Sequence, residues 1–188
     1  MVRTFVVTQG NKPEHYFVKV TSGKTDWSGT YLLGYEGEYD SYIMYTDDNY
    51  SDGSCSGFYL PIEPEGIADC DEAKAGVIVI RHHAPDASGA VHSTAVAGKY
   101  TMFIQGSTGI GRYAGESFGF NNNSSYGRFV ETISYDGAAQ CVSISCKTKS
   151  SGEAYLKYDS AFMTFGFGLP SEMTEAGRYC DIQLYELR

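Results

Sequence analysis

Apolar and polar positions alternate with a period of two along most of this chain, the pattern of half-buried β-strands. The densest case is the stretch 26–36, DWSGTYLLGYE, where Tyr31, Leu33 and Tyr35 alternate with Thr30, Leu32 and Gly34. Both sets are largely apolar, which predicts a strand covered on both faces. The continuous apolar run Val77, Ile78, Val79, Ile80 predicts a second fully buried strand. Further strands are expected at 16–21, 39–45, 58–62, 100–105, 128–135, 140–147, 154–158, 162–167 and 181–187, with a short strand or arm at 4–8. Asp136-Gly137 is a hairpin signal between two of them. Only 66–75, GIADCDEAKA, suggests a helical turn.

This spacing predicts an all-β chain of about ten to twelve short strands in one barrel or β-trefoil-like body. The division is an N-terminal arm at 1–15 and a single β domain at 16–188. Gly followed closely by Tyr recurs from Gly29, Gly98 and Gly152, as a threefold repeat would show, but at unequal spacings of 69 and 54 residues.

Composition agrees with the pattern. Sixteen Tyr, ten Phe and 22 Gly against five Pro suit pleated surfaces joined by tight turns. The 188 residues are enough to bury a core without metal or disulfide staples. Lys and Arg total 14 against 23 Asp and Glu, a net charge of −9, with no basic cluster. That argues against nucleic acid and anionic membrane surfaces as partners. Apolar runs long enough to insert into a bilayer are missing, and the opening MVRTFVVTQGNKPEH does not read as a signal peptide.

The segments FVKVTS (17–22), DWSGTYLL (26–33) and Tyr35-Glu36 resemble the opening of a β-rich module found in secreted proteins of gut Bacteroidetes, often beside an enzyme domain such as a nuclease. Gly98-Lys99-Tyr100, AYLKYD (154–159) and the closing IQLYEL (182–187) resemble its later parts. The long insertion at 47–73 departs from it. The resemblance implies an accessory, extracytoplasmic module and brings no catalytic residues with it.

The candidate chemistry is thin. His82 and His83, adjacent on a strand, point to opposite faces and would need His92 and a carboxylate to converge with them as the zinc site of a metal-dependent hydrolase. Asp47, Asp48, Asn49 and Asp52 offer oxygens, but the sixth loop position is Asp52 and the twelfth Phe58, against the Gly and Glu of a calcium loop. Gly109, Gly111 and Gly115 are spaced one residue too far for a dinucleotide fingerprint. Neither a CxxC pair nor a GxSxG elbow is present. Cys55, Cys70, Cys141, Cys146 and Cys180 are expected to be reduced thiols, with Cys141 on the outer face of its strand. No enzyme activity and no cofactor are expected.

What remains is aromatic surface. Trp27, Tyr39, Tyr42, Tyr45, Tyr50 and Tyr59 are the expected ligand-binding residues of a binding or structural module that recognises glycan or protein surfaces outside the bacterial cytoplasm. A lone Trp beside a turn is, however, more often a core or corner residue. The alternative is a bacteriophage virion component, capsid- or tail-associated, released by lysis without a leader. In it Phe5, Val6 and Val7 form an arm that adds to a neighbour's sheet edge in a homo- or hetero-oligomer.

Overall fold

The computed structural model describes residues 14–37, 41–44, 55–59, 62, 64–74, 76–82, 100–104, 109–110, 120–121, 128–130, 132–148, 152–170 and 182–188. Strands β1 (Tyr16–Lys19), β2 (Gly29–Glu36), β3 (Ser41–Met44) and β4 (Cys55–Tyr59) come first, followed by β5 (Ile67–Ala68) and the single helical turn α1 (Asp71–Lys74). Next come β6 (Val77–His82), β7 (Tyr100–Ile104), β8 (Gly109–Ile110), β9 (Phe120–Asn121) and β10 (Arg128–Val130). The C-terminal part holds β11 (Thr132–Asp136), β12 (Cys141–Thr148), β13 (Gly152–Asp159), β14 (Thr164–Gly168) and β15 (Gln183–Leu187). The described residues are all-β apart from α1, and the sheet curls into a half-barrel.

The sheet branches at β2. One edge of β2 pairs with β15, Gly34 opposite Gln183 through to Tyr31 opposite Glu186. The other edge pairs with β6 over its first half and with β3 over its second. From β3 the order continues through β4, β14, β13 and β12 to β11, and from β6 through β7 and β8 to β9. All these pairings are antiparallel. Beyond β15 lie β1 and β5, and one isolated bridge, Val142 opposite Ile182, brings the start of β15 back against β12.

Because β2 sits inside the sheet, its two faces feed two cores. Tyr31 and Leu33 point into the larger one with Trp27, Met44, Ile78, Ile144, Leu156, Tyr158, Phe165 and Leu184. Leu32 points the other way, onto Phe17, Ile43, Ile67, Ala73, Val77 and Tyr185. The expectation of a strand covered on both faces therefore holds, and the run 77–80 does form β6.

Several expectations are corrected. The single strand expected at 128–135 is two: β10 pairs with β7, and β11 pairs with β12 on another branch. Among the described residues of the stretch 66–75 only α1 is helical, while Ile67 and Ala68 pair with β1. The described residues alone hold fifteen strands, since two-residue strands such as β8 and β9 carry no period for a sequence to show. The arm at 4–8 lies outside the described residues.

Cys141 is disulfide-bonded and 2% exposed, contrary to the expectation of an outward-facing thiol. The physical reason is that β12 is covered on both faces where it meets Ile182, so Cys141 and Ser145 are buried as well as Val142 and Ile144. Five residues of unbroken strand separate positions 141 and 146, about 16 Å, beyond the roughly 7 Å Cα span of a disulfide. The bond therefore leaves the strand. Cys70 is a free thiol, and the side chains of the other three cysteines lie outside the described ones.

Candidate functional site

Cross-strand partners in a sheet share a face. Tyr35 on β2 stands opposite Tyr42 on β3, and Tyr42 stands opposite Tyr59 on β4. Three tyrosines thus form a row running across three neighbouring strands on one face. Tyr35 and Tyr42 are half-buried against the larger core, whereas Tyr59 is 61% exposed.

Tyr158 on β13 supports the row. Its ring stacks on Tyr35 at 4.5 Å between centroids and 21° between planes, and on Tyr42 at 5.3 Å and 19°. Phe165 on β14 meets the same ring at 4.8 Å. Gly57 makes this packing fit: a Cβ there would lie 3.1 Å from the rings of both Phe165 and Tyr158. The Gly57 amide donates to the Met163 carbonyl at 2.7 Å, which sets the β13–β14 turn beside β4. Asp159 shapes that turn by accepting from the amides of Ala161 at 3.0 Å and Phe162 at 3.4 Å. Phe162 and Met163 at its tip are 75% and 52% exposed. An aromatic rim results, fixed at one end and open at the other.

Of the expected ligand-binding residues, the structure brings Tyr42 and Tyr59 together. Trp27 is corrected: it is 3% exposed, part of the larger core, and its amide donates to the Tyr100 hydroxyl at 3.3 Å. The Asp26 carboxylate accepts from the Ser28 amide at 2.8 Å and the Ser28 hydroxyl accepts from the His82 amide at 3.1 Å, so the Trp27 loop is a locked corner. The Ser28 hydrogen bonds hold Asp26 below the usual carboxylate range. Tyr39, Tyr45 and Tyr50 lie outside the described residues, as do the loop 47–52, His83, His92 and the arm residues Phe5, Val6 and Val7. Tyr35, the row's third member, and Tyr158, which supports it, are not among the expected ligand-binding residues. The AYLKY pattern marks Tyr158 as a strand residue, but nothing local shows that its strand passes over β3.

The exposed His82 ring lies tilted against Tyr100 at 4.9 Å between centroids. Among the described residues no group of three or more His, Cys, Asp or Glu is placed to hold a metal ion. Among the same residues no helix is long and apolar enough to cross a membrane.

Two Lys–Glu–Tyr groups flank β15. The Glu36 carboxylate accepts from Lys19 at 2.7 Å and from the Tyr185 hydroxyl. Burial, aided by Glu36, pushes the Tyr185 phenol far up, so it remains a proton donor. On the other face Lys24 donates to Glu186 and to the Tyr31 hydroxyl, the latter at 3.2 Å, with its ammonium 5.2 Å from the Tyr31 ring centre. Both tyrosines are fully buried and the lysines and glutamates partly exposed, so each group ties strand register together from the core outward. Comparison with protein-family models, with curated proteins and with solved structures found no match.

Proposed function

We propose that this protein is a non-catalytic binding module acting outside the bacterial cytoplasm, with the Tyr35–Tyr42–Tyr59 row as its ligand platform. The observation that carries this reading is a pre-set row of rings that ends in a largely exposed tyrosine beside an exposed Phe-Met turn. Rings held by packing lose little freedom on binding, so stacking on them costs little entropy. The buried disulfide at Cys141 supports an oxidising compartment, where such bonds persist. The likeness of 17–36 to a secreted module supports the same setting.

On this reading the curled sheet is a barrel in the making: the path β2–β3–β4–β14–β13–β12 returns to β2 through Ile182 and β15, which supports closure across that one bridge. It supports a barrel over a trefoil.

The test is a glycan and peptide array probed with the parent protein and with Tyr59→Ala. Tyr59 packs little, so the variant's stability should stay within about 0.5 kcal/mol of the parent. Its binding should fall at least tenfold. Binding that is unchanged in a folded Tyr59→Ala protein would remove the rim from consideration.

A further inference from the structure

Resting on that reading, we infer that the ligand is an extended, uncharged glycan lying across strands β2, β3 and β4, one sugar ring on the exposed Tyr59 and its neighbours along the half-buried Tyr42 and Tyr35. Neighbouring strands are about 4.8 Å apart, so the backbone positions of the three tyrosines form a line about 10 Å long, perpendicular to the strands. Tyr158 stacks on two of the three and restrains their tilt. A line of restrained aromatic faces matches a ligand that offers a flat C–H face at each repeat, as the pyranose rings of an extended oligosaccharide do.

Two observations separate this ligand from its competitors. A peptide that adds as a strand needs a free sheet edge for its backbone hydrogen bonds. Along β3 there is none, since it is paired to β2 and β4; β4 pairs with β14 only at Cys55 and Ser56, so a strand could add only at Phe58–Tyr59, beside one ring of the row. Recognition across all three tyrosines therefore falls to side-chain faces. The second observation is charge. The sequences of β2, β3 and β4 contain no Lys or Arg, and their one acid, Glu36, is turned to the opposite face by Lys19 and Tyr185. The nearest fixed charge in the rim's turn is the Asp159 carboxylate, and the whole chain carries −9. A sulfated, uronic or sialylated sugar would meet repulsion with no cation from these three strands to answer it. A neutral one meets no such penalty.

The experiment is calorimetric titration of the full chain with two length series. One is neutral β-linked oligosaccharides of one to six units (glucose, xylose and N-acetylglucosamine oligomers). The other is heparin and sialylated fragments of matching length. The expected result is affinity for a neutral series that rises to about three units, the length that spans the row, and then levels. It should change less than twofold between about 0.05 and 0.5 M salt and fall at least tenfold in Tyr59→Ala. Tighter binding of the anionic series, lost in Tyr59→Ala, would overturn the inference of an uncharged ligand and leave the rim as the binding surface. Capture of peptides but of no sugar, again lost in Tyr59→Ala, would overturn the glycan. Binding of any ligand that ignores Tyr59→Ala would overturn both the inference and the reading beneath it.

Discussion

Tyr158 and Gly57 show how one residue with no side chain positions another with a large one. The Tyr158 ring lies between core and rim because the β4 backbone at Gly57 leaves room for it and for Phe165. A valine there would place several atoms where the two rings now sit, and overpacking of this kind costs about 1–3 kcal/mol. Gly57→Val is therefore expected to lower the unfolding free energy by that amount, with a lower urea midpoint, and to weaken ligand binding with it, since Tyr35 and Tyr42 lose their backing ring. Midpoints that match the parent's would show that the rings do not depend on this gap. Trp27 teaches the converse at the same scale. Its burial agrees with its place next to a turn, where a lone tryptophan is more often a core residue than a ligand platform. Solvent exposure is decided by what crosses over a residue, here Tyr100 from a strand 73 positions away, which local pattern does not encode.

Elements were legible where alternation was long and apolar, as in β2 and β6, because the side-chain period reports the two faces of a strand directly. Their partners were not. β2 draws on β15, β6 and β3, and its pairing with β15 is fixed by groups such as Gln183, whose side-chain carbonyl accepts from the Glu36 amide at 3.0 Å. The Lys24–Glu186 contact beside that pairing predicts a pH response. Burial raises the Glu186 carboxyl, but the Lys24 hydrogen bond and charge outweigh it, leaving the net value below the ordinary 4.5. Burial lowers Lys24, and its bonds to Glu186 and Tyr31 more than reverse this, leaving it above 10.5. Burial raises Tyr31 above 10.0. A depressed carboxylate contributes stability that is present above its unfolded value and lost as pH falls through its folded one; a raised lysine or tyrosine contributes stability present below its unfolded value and lost as pH rises. Stability from this group is thus expected to be flat from about pH 4.5 to 10 and to decline on both sides. Urea midpoints measured from pH 3 to 11 check it. Glu186→Gln should lower the plateau and shallow the acid limb, and an acid limb as steep as the parent's would place its origin elsewhere.

For the whole molecule, the all-β class was readable from composition and period, but the curl into a half-barrel was not. Where β15 comes back against β12, the seam has one bridge among the described residues, with the Val142 amide donating to the Ile182 carbonyl at 2.6 Å. Larger-core residues lie on both sides of it, Val142 and Ile144 on one and Ile182 and Leu184 on the other. The bond from Cys141 starts one residue from that bridge, so it constrains the chain where pairing is thinnest. Spacing along the sequence conceals it, because the distance between two cysteines of one strand carries no information about a strand that folds back over them. Reduction is expected to cost about 2–4 kcal/mol, the usual worth of a native disulfide. Urea unfolding with and without dithiothreitol measures the loss, and hydrogen exchange locates it: the Val142 amide should lose protection before amides in the β2–β15 ladder do. Cys141→Ser should reproduce the reduced protein's midpoint and be insensitive to dithiothreitol. If reduction leaves both midpoint and Val142 protection unchanged, the single bridge and its surrounding apolar contacts hold the seam unaided.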